Sequence, residues 1–187
     1  CSQKDQYEWF TGSFDDNFIQ LLCSLIPSRD SNIVHFGCGI SRLQECLYDN
    51  GFPNITNNDI SENCIRLMKE SDTRNMKWDV VDILKPLPYG DASFDVAIDK
   101  GTLDAIILEK SDKWEIEDEA YEISAKYFKE VLRILKPGGV FIQISFGQPH
   151  FRKRLFERDQ FNWTVKVETL LPKKSFHFFV YICTKNQ

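Results

Sequence analysis

The order of apolar patterns along the chain predicts an α/β protein built on a doubly wound, seven-stranded sheet, mostly parallel with one antiparallel strand near the C-terminus. Three observations carry this. Short strand-like apolar runs alternate with stretches of helical period over most of the 187 residues, the pattern of crossover units that build a parallel sheet. A Gly37-Cys38-Gly39 turn stands where a strand passes into a helix. The last two strand-like runs have no helix between them, so they form a hairpin and bring in an antiparallel strand.

Taken in order, Phe18, Leu21, Leu22 and Leu25 recur at helical spacing and stop before Pro27. Ile33 to Phe36 is a short buried strand leading into Gly37-Cys38-Gly39. Ile40, Leu43 and Leu47 continue at helical spacing towards Asn50-Gly51, a good helix terminator. Asn54 to Asp59 is the second strand, Ser61 to Glu70 a helix with Ser61 as N-cap, and Met76 to Val80 the third strand. Pro86, Pro88, Gly90 and Asp91 mark a loop before the fourth strand, Phe94 to Ile98. A long helical pattern from Tyr121 to Leu135 closes at Lys136-Pro137-Gly138-Gly139. The fifth strand is Val140 to Ser145, then a short basic helix from His150 to Arg158, a sixth strand from Trp163 to Glu168 and a seventh from Phe176 to Cys183. The expected organisation is one domain over 1–187. Residues 1–30 form an N-terminal covering segment and helix, 31–145 the ligand-binding core, and 146–187 the closing helix and hairpin.

Composition narrows the function classes. A net charge of −5 argues against broad binding to a nucleic-acid backbone and permits a basic protein partner. No stretch approaches the roughly 18 apolar residues of a membrane helix. Residues 1–6 show neither an apolar signal core nor an Arg-rich leader, so the expected location is the cytoplasm. A start at Cys1 without Met points to further residues upstream. The six cysteines, at positions 1, 23, 38, 46, 64 and 183, have no metal-ligand spacing and read as reduced thiols that fill small core gaps.

Two elements of the pattern point to a nucleoside. Gly37 and Gly39 let a ligand approach the backbone closely at the carboxyl end of the first strand, although a tight turn alone has the same signature. Asp59 follows about twenty residues on, at the end of the second strand, where a carboxylate accepts both ribose hydroxyls or caps the next helix. A dinucleotide site wants a third glycine, and Ser41 and Arg42 stand there instead. Asp82 and Ile83, after the third strand, suit an adenine ring: a carboxylate for the exocyclic amine and an apolar face, unless Asp82 is a loop acid only.

Gly37-Cys38-Gly39, the acidic end of strand two, Ser93-Phe94-Asp95-Val96 and Leu135-Lys136-Pro137-Gly138-Gly139 occur here in the order found in class I methyltransferases. The chain resembles that family, which implies a Rossmann-like fold and S-adenosyl-L-methionine as cofactor. His35 departs from the pattern, since many members carry an acid two residues before the first glycine; it reads as a core histidine. Further segments narrow the resemblance: Tyr7 to Phe10, Gly51-Phe52-Pro53-Asn54, Asp99-Lys100-Gly101-Thr102-Leu103-Asp104-Ala105, Pro149-His150-Phe151-Arg152 and Phe176-His177-Phe178. These are similar to a group of protein-lysine methyltransferases. It contains the methyltransferase of translation elongation factor 1-alpha encoded beside endothelin-converting enzyme, and relatives acting on citrate synthase. Members usually begin with two further aromatic segments that touch cofactor; these are absent here, which implies an incomplete N-terminal lid.

The resemblance places Trp9, Gly37, Gly39, Asp59, Ile60, Asp82, Ile83 and Lys100 at the cofactor, and no metal. Trp9 with Phe10 either forms an aromatic wall over the sulfonium or anchors the N-terminus by packing. Asp99 and Asp104 flank the end of strand four and are the candidate catalytic residues, orienting the acceptor amine or relaying its proton, or else serving only as turn and cap acids. Arg152, Lys153, Arg154 and Arg158 form a basic rim that either docks an acidic stretch of a partner or is a solvated helix face. A protein substrate, elongation factor 1-alpha foremost, is the expected partner. A small-molecule methyltransferase and a non-catalytic cofactor-binding subunit are the alternatives on the same fold.

Overall fold

The computed structural model describes residues 16–110, 118–170 and 177–187. The strands are β1 (Ile33–Phe36), β2 (Ile55–Asp59), β3 (Lys77–Val80), β4 (Phe94–Lys100), β5 (Leu135–Ser145), β6 (Trp163–Leu170) and β7 (Phe178–Lys185). The helices are α1 (Asp16–Leu25), α2 (Leu43–Asp49), α3 (Glu62–Ser71), α4 (Thr102–Lys110), α5 (Asp118–Ile134) and α6 (Pro149–Phe156). All seven strands join one sheet in the order β3-β2-β1-β4-β5-β7-β6. β1 pairs in parallel with both β2 and β4, so the chain reverses its direction of winding there. Such a switch point leaves a crevice at the carboxyl ends of the strands. β7 is the one antiparallel strand, inserted between β5 and β6.

Residues of β1 and β4 alternate between two cores, as the strand period of two requires. Ile33, Val96 and Ile98 face one side, with Phe18 and Leu22 of α1, Leu43 and Leu47 of α2, and Ile65 and Met68 of α3. Val34, Phe36, Ala97 and Phe141 face the other, with Leu103 of α4, Tyr127, Phe128 and Val131 of α5, and Leu155 and Phe156 of α6. The second core is strongly aromatic: Phe128 stacks on Phe156 with centroids 4.7 Å apart and meets Trp163 edge-on at 5.3 Å. Among the described residues no helix is long and apolar enough to cross a membrane.

Several local signals hold and a few shift. Ser61 caps α3 by accepting from the Cys64 N–H at 3.3 Å. Gly51 after α2 has φ +88°, the left-handed value that ends helices. The helical spacing from Ile40 is realised only from Leu43, because the Ser41 hydroxyl accepts the Leu43 N–H at 3.1 Å and holds 40–42 as a turn. The Lys136–Gly139 segment, expected as a turn before β5, lies inside β5 as a bulge. Phe94 pairs with Leu135 and Val96 with Val140, and Gly138 at φ +76° absorbs the excess chain. α4 is a helix that the periodicity does not reveal. Its apolar residues, Leu103 and Ala105 to Leu108, run almost together instead of forming a stripe, and Leu108 is 68% exposed. The expected start of β7 at Phe176 falls outside the described residues.

Candidate active site

The switch point between β1 and β4 opens into a cavity of about 450 Å³. Gly37, Gly39, Asp59, Ile60, Asp82, Ile83 and Lys100 all line it, so seven residues chosen from four separate stretches of sequence meet around one cavity. Trp9 lies outside the described residues. Asp99 and Asp104 do not line the cavity; both are buried behind it.

Each wall is fixed by a specific bond. After β1 the chain turns through Gly37 and Gly39, at φ +53° and +52°. A side chain on Gly37 would collide with Thr102, whose Oγ1 lies 2.2 Å from the position of a Cβ. A Cβ on Gly39 would meet no atom within 4 Å among the described residues, because that position faces the open cavity. The Asp59 carboxylate locks the loop. Its Oδ2 accepts the Gly39 N–H and its Oδ1 the Ser61 N–H, both at 2.9 Å. A carboxylate has about four lone-pair directions, so each oxygen keeps capacity for a further donor from the cavity side. Asp82 is built likewise: Oδ1 accepts the Leu84 N–H at 3.0 Å and Oδ2 lies 3.3 Å from Lys85 Nζ. Ile83 is buried, whereas Ile40, Ile60 and Leu84 stand 37%, 67% and 42% exposed around the mouth. Apolar side chains held open to solvent beside two carboxylates fit a flat ring with polar edges. Lys100 is the one cation among the cavity-lining residues.

The Asp99–Asp104 run explains itself as a set of fasteners. Asp99 is fully buried and caps α4, accepting the N–H groups of Thr102 at 2.9 Å and Leu103 at 3.2 Å and the Tyr127 hydroxyl at 3.2 Å. Burial, and next the nearby charge of Asp104, push its carboxyl up to about 7. Gly101 turns at φ +77° and donates its N–H to the Ile144 carbonyl at 3.0 Å. The Thr102 hydroxyl donates to the Phe36 carbonyl at 3.0 Å, tying α4 to the glycine turn. Asp104 accepts from the Ser145 hydroxyl at 2.8 Å and the Phe146 N–H at 3.1 Å, and forms an ion pair with Arg152. Arg152 is therefore buried and is no part of an exposed basic rim; Arg154 is exposed as expected.

His35 is a core residue. Burial, and next the positive charge of Lys100, lower its imidazole to about 3, so it is neutral. Asn57 and Gln44 flank the ring, yet neither nitrogen reaches a partner at full hydrogen-bond geometry. The thiols beside the cavity are protonated: burial, with the Asp59 charge second, raises Cys38 far above its usual range and Cys64 to about 11. Neither is an activated nucleophile. Among the described residues no group of three or more His, Cys, Asp or Glu side chains is placed to hold a metal. Thr102, Tyr127 and Arg152 are the parts that residue-level reading missed as a system; Thr102 and Arg152 stand inside the quoted motifs, but their partners are 66 and 48 positions away.

A family model described as a methyltransferase domain matches residues 27–177, from β1 through β6 with α2 to α6. The chain belongs to the methyltransferase-domain family. Among methyltransferases it is 34% identical over 183 residues to EEF1A lysine methyltransferase 4 of Mus musculus, a match that covers 97% of this chain and 69% of the mouse protein. It is 36% identical over 169 residues to the eEF1A lysine and N-terminal methyltransferase of Xenopus laevis, covering 88% of this chain and 23% of that much longer protein. In fold, it superposes on a SAM-dependent methyltransferase of Methanosarcina mazei with a TM-score of 0.63 at 22% identity, covering 88% of this chain and 97% of the other.

Proposed function

We propose that this methyltransferase uses S-adenosylmethionine held in the β1–β2–β4 cavity to methylate a lysine side chain of translation elongation factor 1A. The observation that carries the reading is the likeness to the mouse lysine methyltransferase over 97% of the chain, which takes in both the cavity and the segments beyond β5. The cavity supports the choice of cofactor. Each Asp59 oxygen, beside the backbone N–H it already accepts, has capacity for a ribose hydroxyl, Ile60 and Ile83 offer faces for adenine, and Asp82 offers an acceptor for its exocyclic amine. Gly37 and Gly39 keep the floor bare, and Lys100 supplies a cation suited to the carboxylate of the amino-acid end. The amino end of α2 is set back behind the Ser41 turn, an arrangement that does not favour a pyrophosphate.

S-adenosylmethionine, when bound, supplies an electrophilic methyl group on a positively charged sulfur. The protein's task is alignment of acceptor and methyl and delivery of a neutral amine. With a pKa near 10.4, about one lysine in a thousand is neutral at pH 7.4, a deficit of about 4 kcal/mol; desolvation beside a cation lowers that pKa. Asp99 and Asp104 act in this scheme by holding α4 and the β5–α6 turn in place, their oxygens being engaged by Thr102, Leu103, Ser145 and Phe146.

The test is mass spectrometry of purified elongation factor 1A after incubation with the protein and methyl-labelled cofactor. Label on a lysine side chain is the expected result. Label confined to the N-terminal amine would reassign the acceptor, and label only on small molecules of an added extract would replace the protein substrate altogether.

A further inference from the structure

The Arg152 guanidinium is almost wholly buried, with a side-chain exposure of 9%, and so is its partner Asp104 at 7%. The pair joins α6 to α4 across the end of β5. Around it, Ser145 Oγ donates to Asp104 at 2.8 Å and accepts the Gly147 N–H at 2.9 Å. The Tyr181 hydroxyl of β7 donates to the Gly147 carbonyl. Gly147 matters because it is bare. A Cβ there would lie 2.7 Å from Arg152 Nε, although Gly147 has no positive φ that would itself exclude a side chain. The guanidinium thus occupies the space that a side chain on Gly147 would need while it grips Asp104.

Stability alone is a poor reason for such a pair. Two buried charges cost desolvation that well-packed apolar residues avoid, and their replacement as a pair is often neutral or stabilising. Arg152 Nη1 is buried without a hydrogen-bond partner, a further cost that an apolar residue would not incur. What the pair does provide is a fixed geometry between two pieces of chain. One is the first turn of α4, where Thr102, Ala105 and Ile106 line the cavity. The other is the Phe146–Phe151 stretch, whose two phenyl rings are 39% and 44% exposed beyond β5.

We propose that Arg152 is a positioning residue for the methyl acceptor: through Asp104 and Gly147 it sets the exposed Phe146–Phe151 turn at a fixed distance and angle from the cavity wall on α4. This rests on the reading above that the acceptor is a protein lysine, which then approaches over that turn. The clamp reaches the cavity only through the α4 wall; the bonds that set Asp59 and Asp82, the proposed polar contacts of the cofactor, run to Gly39, Ser61 and Leu84 and to no residue of the clamp.

Two variants test it without leaving one charge buried alone. The first replaces the pair together, Arg152→Met with Asp104→Leu. The second, Gly147→Ala, keeps both charges and displaces the guanidinium by its new methyl group. In both, the Michaelis constant for elongation factor 1A should rise about tenfold or more, while the affinity for S-adenosylhomocysteine by calorimetry stays within about twofold. Hydrogen exchange should show the amides of 101–105 and 145–147 losing protection together. A changed melting temperature with unaltered acceptor kinetics would make the pair merely structural and overturn the proposal, as would loss of protection in one segment without the other. If the wild-type protein transfers no methyl group to the factor, the substrate reading fails by itself, and the exchange experiment still decides whether the two segments are coupled.

Discussion

Gly37 and Gly39 have nearly the same backbone conformation and opposite surroundings, which makes them separable by experiment. A methyl group on either costs about 1–2 kcal/mol for a left-handed L-residue. On Gly37 it also strikes Thr102, adding about 1–3 kcal/mol of overpacking. Gly37→Ala should therefore lower unfolding stability in urea by about 2–5 kcal/mol. Gly39→Ala should lower it by about 1–2 kcal/mol and chiefly weaken ligand binding, since its methyl group enters the cavity. Equal losses of stability would mean the turn is not locked on Thr102. The two glycines were legible because a Gly-x-Gly stands between a strand and a helix with an acid at the end of the next strand, and Asp59 because its distance from them is set by one crossover unit. The partners of Asp104 were not legible: Arg152 stands 48 residues on, and no local pattern says that a basic residue in a helix of the form PHFRKRLF turns inward while its neighbours face water.

At the scale of the element, α4 and its cap carry a pH signature. The Asp99 carboxyl is raised to about 7 in the folded chain, against about 3.9 when unfolded. The folded protein therefore holds a proton that the unfolded chain has released. The group's contribution to stability is full below about pH 4 and is lost as pH rises through 7. Wild-type stability relative to Asp99→Asn should fall between pH 5 and pH 7 by up to about 1.4 kcal/mol per pH unit and level off near pH 8. Parallel curves from urea unfolding at each pH would show that Asp99 does not titrate in this range. The same element shows where sequence reading stops. α4 escaped the periodic pattern since its apolar residues run almost together, whereas α3, with Ile65 and Met68 inward and Ser61 capping, did not. The bulge in β5 escaped for a related reason: Lys136-Pro137-Gly138-Gly139 has turn chemistry, and only the pairing of Phe94 with Leu135 keeps it in the sheet.

For the molecule as a whole, two cores on opposite faces of one sheet divide the work. The face under α5 and α6 is fastened by Phe128, which meets Phe141, Phe156, Phe161 and Trp163. Phe128→Ala should cost about 3–5 kcal/mol, seen as a lower urea midpoint, with little change in ligand affinity below the transition. The doubly wound, mostly parallel architecture was legible at this scale because alternating helices and strands leave few right-handed parallel solutions. The insertion of β7 between β5 and β6 depends on long-range pairing that no local run encodes. The central claim is that the cavity between β1, β2 and β4 is the cofactor site, with Asp59 as its principal polar contact. Calorimetric titration of S-adenosylhomocysteine into the wild-type protein and Asp59→Ala measures this directly. Loss of charge-assisted hydrogen bonds worth about 1.5–3 kcal/mol each predicts at least tenfold weaker binding in the variant; an unchanged dissociation constant in a folded variant would contradict the assignment.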